Sequence, residues 1–336
     1  MSAGINRQWI LAARPTGMVG PEHFALREAA VPQPGPGEVL VRTRMLSLDP
    51  ANRAWMFPSP TYKAPVEPGD VMHGFALGEV IASNDPAFRP GDLVDGMIGW
   101  QDYAALPGGE LARRDSARSA EQLLGVLGVT GLTAYFGLRE IGRPKEGETV
   151  LVSAAAGAVG SVVGQIAKIM GCRVIGTAGG PDKCRWLTEE LGFDAAIDYK
   201  AGGVRRALKE AAPDGVDVYF DNTGGEVLAA ALFLMNERGR IVACGNVSQY
   251  NAEKPEPGPM GVPGLIVVKR IRMEGFIVTD FYDRRAEAET ALAGWMAEGR
   301  LKAAEDVVEG LENAPRALAE LFGGRNRGKL LVRVAG

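Results

Sequence analysis

This sequence predicts an α/β protein with two domains, one a doubly wound parallel sheet and the other a mostly antiparallel, barrel-like β domain. Residues 148–183 read as a strand, a glycine-rich turn, a helix and a second strand. From Gly131 onward, strand-like and helix-like segments alternate, which is typical of a parallel sheet. Residues 1–128 contain short β-type runs separated by Pro-Gly clusters, which favours antiparallel strands.

The length of the chain supports this division. A domain typically holds about 100–200 residues, so 336 residues are too many for one ordinary core. We expect the β domain over residues 1–130 and the parallel-sheet domain over residues 131–299, with a charged amphipathic helix over 284–298. The last segment, GKLLVRVAG at 328–336, is predicted to be a strand. It would return to the first domain, which residues 300–336 complete.

The segment 148–183 predicts a dinucleotide-binding unit. Glu148 to Ser153 form an apolar strand-like run, Ser161 to Met170 have helical spacing, and a second strand opens at Val174. The turn between them reads A-x-x-G-x-x-G. Small residues there let backbone N–H groups and the helix N-terminus approach a pyrophosphate, where the helix dipole favours negative charge. The predicted contacts are Ala154, Gly157, Ala158, Val159 and Gly160. The alternative is a tight strand-to-helix turn without a ligand.

The end of the second predicted strand favours NADP(H) over NAD(H). An NAD site usually places Asp or Glu there to bind the ribose 2′-hydroxyl, whereas this chain has Thr177, Ala178, Gly179 and Gly180. Asp182 lies beyond the strand end and is predicted to cap the next helix. Lys183, in the first turn of that helix, can then reach a phosphate. The alternative for Lys183 is an ordinary exposed helical lysine.

Composition excludes several classes of function. Hydrophobic residues make up 46% and charged residues 23%, which are the proportions of a globular protein. A formal net charge of -4 gives no basic field, so we expect neither a nucleic acid nor a membrane partner. No apolar run reaches the ~18–20 residues of a membrane span, and the N-terminus lacks the apolar core of a signal peptide. A cytoplasmic protein is therefore expected.

The cysteines and histidines predict no metal site. Cys172, Cys184, Cys244, His23 and His73 lack the close spacings that bind zinc tetrahedrally. Cys172 and Cys244 lie in apolar segments and are interpreted as core residues. His73 has no cysteine or acidic triad partner nearby, so it is interpreted as a satisfied, partly buried imidazole.

A resemblance to a known family rests on seven motifs that follow one another along nearly the whole chain. They are LSLDPANR at 46–53, GLTAYFGL at 131–138, AAAGAVG at 154–160, DNTGG at 221–225, CGNVSQY at 244–250, MEGFIV at 273–278 and RNRGK at 325–329. In this order they resemble the zinc-independent medium-chain dehydrogenases/reductases. The chain looks like the group of prostaglandin and leukotriene B4 reductases and NADPH-dependent alkenal or curcumin double-bond reductases. The resemblance implies a Rossmann NADP-binding domain and a GroES-like catalytic domain.

The resemblance also implies how NADP(H) is bound. Lys183 and Tyr199, the latter in a D-Y-K motif, would hold the adenosine 2′-phosphate beside Gly179. Asn222 of DNTGG would contact the cofactor near the ribose and nicotinamide, although its composition also suits a turn. The remaining implied contacts are Cys244, Gly245, Ser248, Tyr250, Phe276, Ile277, Val278 and Asn326.

Two departures from the family pattern leave the substrate range open. Relatives commonly show D-P-Y-M-R where this chain has Asp49-Pro50-Ala51-Asn52-Arg53, which removes an aromatic side chain. Relatives also commonly have proline at the position of Thr130.

The implied reaction is metal-free reduction of an α,β-unsaturated aldehyde or ketone, a small hydrophobic enal or enone. Hydride adds to the β-carbon, and negative charge develops on the carbonyl oxygen, so the site needs orientation and a hydrogen-bond donor. Tyr250 is the candidate for this donor or for delivery of the proton at the α-carbon, with a packing role for its ring as the alternative. The cofactor's own ribose hydroxyl could serve instead, and Tyr62 is a weaker candidate.

Two other functions suit the same motifs. A quinone reductase would use the same cofactor on the same scaffold, and a non-catalytic NADPH-binding protein could retain the fold, because fold does not determine function. Relatives are often homodimers that join their nucleotide domains edge to edge. The apolar segment RIRMEGFIV at 270–278 is expected to be a long strand that needs a cover or a partner at such an edge.

Overall fold

The computed structural model describes residues 4–59, 61–254 and 257–334. Its strands are β1 Ile5–Leu11, β2 Phe24–Ala30, β3 Glu38–Leu48, β4 Ala76–Ser83, β5 Leu93–Gly96, β6 Tyr103–Pro107, β7 Leu111–Arg113, β8 Thr149–Val152, β9 Arg173–Ala178, β10 Ala195–Asp198, β11 Val216–Asp221, β12 Met235–Ala243, β13 Arg272–Gly275, β14 Glu305–Glu309 and β15 Lys329–Arg333. Its α-helices are α1 Pro50–Ala54, α2 Ala120–Leu124, α3 Val129–Phe136, α4 Ala158–Ile169, α5 Pro181–Glu189, α6 Val204–Ala211, α7 Gly225–Leu234, α8 Val262–Lys269, α9 Arg285–Ala297 and α10 Ala314–Gly323.

The chain folds into two compact units. The first holds the residues up to Leu124, Glu305–Asn326 and those from Leu330 onward, and the second holds Gly125–Ala304 and Arg327–Lys329. The last strand, β15, pairs antiparallel with β3 of the first unit, with Leu330 opposite Leu48. The last segment thus pairs with a strand of the first unit, and its last two residues lie outside the described part of the chain.

The second unit is built on a six-stranded parallel sheet. Its strand order is β10-β9-β8-β11-β12-β13, so the chain winds outward from β8 in one direction and from β11 in the other. This confirms the predicted doubly wound parallel sheet. In such sheets ligands bind at the carboxyl ends of the strands where the winding reverses, which here lies between β8 and β11.

Helices cover both faces of the parallel sheet, as the sequence of its central strands dictates. The β8 residues Val150 and Val152 join the hydrophobic core that contains α3 and α4, whereas Leu151 joins the core that contains α6 and α7. Successive side chains of a strand point to opposite faces, so an uninterrupted apolar run must be covered on both sides.

The strand β13 differs from its prediction. The segment 270–278 is not a long apolar strand, because only Arg272–Gly275 pair with β12 at the edge of the sheet, and all four residues are exposed. Phe276 leaves the edge and packs its ring edge-on against Phe281, with ring centroids 6.3 Å apart. Burial of the Phe276 ring thus ends the strand.

The first unit is mainly antiparallel β structure. A seven-stranded sheet runs in the order β14-β15-β3-β4-β5-β7, with β6 also on β3, and β1 and β2 form a separate pair. The long strand β3 pairs antiparallel with β4, β6 and β15, which confirms the antiparallel prediction. Among the described residues no helix is long and apolar enough to cross a membrane.

Candidate cofactor and active site

The glycine-rich turn lies at the carboxyl end of β8. Helix α4 begins at Ala158, three residues earlier than predicted, and its N-cap Gly157 offers no side-chain acceptor to the first amide groups of the helix. The amide of Gly157 donates to the carbonyl of Ala154 at 2.9 Å, and the amide of Ala155 donates to Thr177 at the end of β9, also at 2.9 Å. The turn is therefore fixed to two strands, while the helix N-terminus remains suited to an anion.

The residues of the turn are small for different structural reasons. A Cβ atom on Gly160 would collide with the carbonyl oxygen of Ala154 and lie 2.8 Å from Cα of Ala155, so close packing of α4 requires this glycine. A Cβ on Gly157 would meet only the Ala154 oxygen, at 3.2 Å. Ala154 itself adopts φ = 47°, the left-handed region. Gly157 is thus not required by packing, and its open face fits the close approach of a pyrophosphate.

A distant segment lies against the same turn. Gly328 of the RNRGK motif donates its amide to Ala156 at 2.9 Å and forms a parallel bridge with Gly157. Gly328 has φ = 67°, and a Cβ there would collide with the Ala304 carbonyl. The segment Arg327–Lys329 therefore lies against the turn. Asn326, the predicted contact, immediately precedes it.

The end of β9 carries the predicted 2′-phosphate site. A Cβ on Gly179 would lie 2.9 Å from both Cε of Lys200 and Oη of Tyr199, so these two side chains cross over the glycine. Lys183 follows in the first turn of α5. The pKa of Tyr199 is raised by burial and by the charge of Asp198, which keeps its phenol protonated as a donor. The predictions did not include Lys200, although it follows Tyr199 in the D-Y-K motif.

The prediction for Asp182 was wrong. Gly180, not Asp182, is the N-cap of α5, and Asp182 pairs with Arg185 one turn along the helix. The carboxylate that organises this corner is Asp198, whose Oδ1 accepts from the amides of Gly180 at 2.8 Å and Lys200 at 2.9 Å. These bonds hold the end of β9 and the D-Y-K motif together.

A buried carboxylate lies where the sheet winding reverses. Oδ1 of Asp221, at the end of β11, accepts hydrogen bonds from Tyr219 Oη at 2.7 Å and Ser153 Oγ at 3.2 Å. The same oxygen accepts from the amides of Thr223 at 2.9 Å and Gly224 at 2.8 Å. Asp221 is only 2% exposed. Neither Asp221 nor Ser153 was predicted from the sequence as a functional residue.

Asn222 is held against the end of β8. Its amide donates to Ser153 Oγ at 2.9 Å, and its side-chain Nδ2 donates to the Ser153 carbonyl at 2.7 Å. The side-chain amide is therefore oriented by the protein itself. Its oxygen is the atom that remains for a ligand, because no described residue donates to it.

The loop after β12 is joined to the loop after β11. The amides of Cys244 and Gly245 donate to the Asp221 carbonyl at 2.9 and 3.0 Å, and the amide of Ser248 donates to Thr223 at 3.1 Å. Burial, with a further contribution from Asp221, raises the pKa of the Cys244 thiol to about 12. Cys244 is therefore protonated at neutral pH and is a poor nucleophile.

Tyr250 ends the single helical turn Val247–Gln249 on this loop and is half-buried. Burial raises its pKa above the ordinary value, while a hydrogen bond with the Asn246 backbone acts in the opposite direction. At neutral pH the phenol is thus uncharged and offers an O–H donor, as the predicted role requires.

The predicted contacts at 276–278 have structural roles of their own. A Cβ on Gly137 would lie only 2.5 Å from the Phe276 ring, so this ring packs into the core of the second unit. Ile277 donates its amide to Asp280 Oδ2 at 3.3 Å at the start of the helical turns Val278–Arg284. Their contact with the cofactor stays a prediction.

Tyr62 and His73 lie in the first unit around Trp55. The Trp55 ring centroid is 6.4 Å from that of Tyr62 and 6.1 Å from that of His73, and Tyr62 is 57% exposed. Burial, and then the charge of Lys63, lowers the pKa of His73, so its imidazole is neutral. His73 is partly buried as predicted, but the prediction that it is satisfied was wrong. Its Nδ1 has no hydrogen-bond partner in the described chain.

No metal ligand cluster is formed by the described residues, in which no group of three or more His, Cys, Asp or Glu side chains could hold an ion. Cys172 is buried, as interpreted from its sequence context, and donates to the Lys145 carbonyl at 3.3 Å.

Comparison with known proteins assigns the two parts of the chain to families. A family described as the N-terminal domain of oxidoreductase matches residues 7–113, and one described as zinc-binding dehydrogenase matches residues 158–297. The second description names zinc, yet the described residues do not fit a zinc ion.

Individual relatives match over nearly the whole length. The NADPH-dependent curcumin reductase of Escherichia coli (strain K12) is 47% identical over 336 residues, covering 98% of this chain and 97% of that protein. The 2-alkenal reductase (NADP(+)-dependent) of Nicotiana tabacum is 42% identical over 340 residues, covering 98% of each. The crystal structure of CurA in complex with NADPH from Vibrio vulnificus has a TM-score of 0.94 and 44% identity, and the match covers 98% of this chain and 99% of that one. The chain therefore belongs to the medium-chain dehydrogenase/reductase superfamily, in its group of prostaglandin, alkenal and curcumin reductases.

Proposed function

We propose that this protein is an NADP-dependent oxidoreductase that reduces the C=C bond of α,β-unsaturated aldehydes and ketones. The observation that supports the proposal is that the segments predicted to contact the cofactor lie together where the winding of the parallel sheet reverses. The glycine turn, the β11 loop and the β12 loop are all formed there and are hydrogen-bonded to one another. The relatives with 47% and 42% identity are named NADPH-dependent curcumin reductase and 2-alkenal reductase (NADP(+)-dependent).

The residues of the second unit fit NADPH. The N-terminus of α4 and the open face of Gly157 suit its pyrophosphate. Lys183, Tyr199 and Lys200 supply two cations and a phenol for its 2′-phosphate, where no acidic side chain occupies the strand end. When bound, NADPH supplies the hydride, and the protein contributes orientation and electrostatics.

Tyr250 is proposed as the donor to the substrate carbonyl oxygen. A preorganised donor acts where negative charge develops, and its removal commonly costs about 2.7–4 kcal/mol of transition-state stabilisation. The raised pKa of Tyr250 supports this role, because a neutral phenol can donate throughout the physiological pH range. Tyr62, half exposed beside Trp55, is the second candidate.

Steady-state oxidation of NADPH with trans-2-nonenal tests the proposal. Fast turnover with NADPH and slow turnover with NADH are expected. Turnover only with a 1,4-quinone would assign the protein to quinone reduction instead. Tight NADPH binding without turnover on an enal, an enone or a quinone would favour a non-catalytic NADPH-binding protein.

We further infer that the first unit is a GroES-like catalytic domain and that the second is a Rossmann NADP-binding domain. The antiparallel sheet centred on β3 and the doubly wound parallel sheet support these assignments. A cytoplasmic location and a small hydrophobic enal or enone as the substrate are part of the same proposal.

A homodimer that joins the second units edge to edge is also proposed. The edge strand β13 is exposed along its whole length. Helix α8 exposes Val267 by 72% and Val268 by 70%, and Met273 on β13 is 40% exposed. Apolar side chains beside an unpaired strand edge are costly in water, and pairing with a second copy would cover both.

A further inference from the structure

We propose that Asp221 is the positioning residue of the cofactor site, acting through the loops after β8, β11 and β12. This inference rests on the proposed function, since it concerns the alignment of NADPH for hydride transfer. Asp221 itself needs to touch neither cofactor nor substrate.

One oxygen of the Asp221 carboxylate accepts hydrogen bonds from three segments of the chain. Oδ1 accepts from a side chain of its own strand, Tyr219, from the end of β8, Ser153, and from two consecutive amides of the following loop, Thr223 and Gly224. Hydrogen bonds to an ionised acceptor are about twice as strong as neutral ones, and a buried acceptor rigidifies the groups that it collects. With Asp221 2% exposed, these donors replace its contact with water.

The carboxylate also stabilises an unusual backbone path. Gly224 has φ = 67° and Gly225 has φ = 56°, two successive residues in the left-handed region. This path begins directly after the two amides that Asp221 accepts, those of Thr223 and Gly224, the first of them as in an Asx turn. Without the acceptor, the buried amide of Gly224 and the partly buried amide of Thr223 would lose this partner.

The hydrogen bonds of Asp221 affect two predicted cofactor contacts, Asn222 and Tyr250. Ser153 Oγ, which donates to Asp221, accepts the amide of Asn222, so the carboxylate fixes the loop that presents the Asn222 side chain. The Asp221 carbonyl accepts the amides of Cys244 and Gly245, which open the loop that carries Tyr250. A loss of alignment of about 1 Å can cost on the order of 100-fold in rate.

The test is Asp221→Asn, with Asp217→Asn as its matched control. The asparagine oxygen can occupy the Oδ1 position, and its nitrogen can occupy the Oδ2 position, to which no described residue donates. Asp217 lies on the same strand and is also a structural acceptor, for the Thr149 amide at 2.9 Å and Asn236 Nδ2 at 2.8 Å. It lies at the opposite end of β11, away from the loops of the site.

Both variants are compared with the wild type for NADPH dissociation constant by fluorescence titration, for kcat and KM on trans-2-nonenal, and for thermal unfolding. The neutral amide oxygen of Asp221→Asn accepts these four hydrogen bonds more weakly than a carboxylate does. We therefore expect the loops to lose alignment and kcat/KM for NADPH to fall by about 10- to 100-fold. Asp217→Asn should lose stability, because both of its carboxylate oxygens accept hydrogen bonds, and it should keep the kcat/KM of the wild type. Tyr219→Phe, which removes one donor, should change kcat/KM in the same direction as Asp221→Asn but less.

Equal NADPH binding and kcat/KM in the two asparagine variants would overturn the positioning role. If the wild type reduces no enal but Asp221→Asn still weakens NADPH binding relative to Asp217→Asn, the proposed function fails and the positioning role stands.

Discussion

At the scale of single residues, three glycines of the predicted nucleotide site are glycines for different reasons. Gly160 is required because α4 packs directly on the turn, whereas Gly157 has an ordinary φ of −88° and a nearly open face. Gly179 leaves room for Tyr199 and Lys200. A sequence pattern records all three as small residues, but only the structure separates a packing requirement from a ligand requirement.

Gly160→Ala should therefore reduce the stability of the protein, whereas Gly157→Ala should weaken NADPH binding. Gly160→Ala is expected to destabilise the protein by roughly 1–3 kcal/mol, the usual cost of overpacking. Gly157→Ala should change stability by less than ~1 kcal/mol, because its backbone suits alanine, yet raise the KM for NADPH as the methyl group meets the pyrophosphate. Thermal unfolding and NADPH titration of the two proteins check this. A normal NADPH affinity in Gly157→Ala would argue against a pyrophosphate at the turn.

The cations of the 2′-phosphate site allow a test of cofactor choice. Lys183→Ala and Lys200→Ala should each raise the KM for NADPH by roughly 10-fold or more, since a hydrogen bond to a charged group contributes about 1.5–3 kcal/mol. The KM for NADH, which lacks the phosphate, should remain unchanged. The measurement is paired kinetics with both cofactors at low salt, where screening is weakest. Parallel losses with NADH would contradict the assignment.

Tyr250 should act through its hydroxyl. Tyr250→Phe is expected to lower kcat on an enone by at least ~10-fold while leaving the KM for NADPH unchanged. A donor is active in its protonated form, which is present below its pKa. Because burial raises that pKa above the ordinary 10.0, wild-type kcat should stay level through neutral pH and fall only above pH 10. A pH–rate profile checks this, and an unchanged kcat in Tyr250→Phe would exclude Tyr250 from the chemical step.

At the scale of elements, the periodicity of apolar residues predicted the helices and strands that local sequence determines. It did not predict features that depend on contacts between segments far apart in the chain. The strand, turn and helix of the nucleotide unit follow from apolar spacing and glycines, although α4 starts at Ala158 because its N-cap is Gly157. The contact of Gly328 with Gly157 joins segments far apart in the chain, and periodicity carries no signal for it. Likewise β13 ends early because Phe276 turns into the core, where Gly137, directly after α3, leaves room for its ring.

The exposed elements α8 and β13 make a prediction about assembly. If they join two copies, Val268→Glu should convert a dimer into a monomer in sedimentation experiments, because a buried unpaired carboxylate is strongly unfavourable. Glu274→Gln, on the same edge strand, is the control that removes a charge and should leave the dimer intact. A wild-type monomer at micromolar concentration would refute the edge-to-edge dimer.

At the scale of the whole molecule, the fold class and the cofactor class were predictable, whereas the internal organisation of the site was not. The parallel sheet and the neutral end of β9 follow from residue types read in order. The role of Asp221 was not predictable, because Ser153 and Asp221 come together only when β8 and β11 become neighbours in the sheet. Lys200 and Asp198 likewise acquire their roles from β10 lying beside β9.

The central claim is that hydride reaches the β-carbon of an activated alkene. The most direct measurement is product analysis by mass spectrometry and NMR after turnover of trans-2-nonenal with NADPH that carries deuterium at both positions of nicotinamide C4. We predict a saturated aldehyde with deuterium on the former β-carbon. Deuterium on the carbonyl carbon of an unsaturated alcohol, or the absence of deuterium from every product, would contradict the claim.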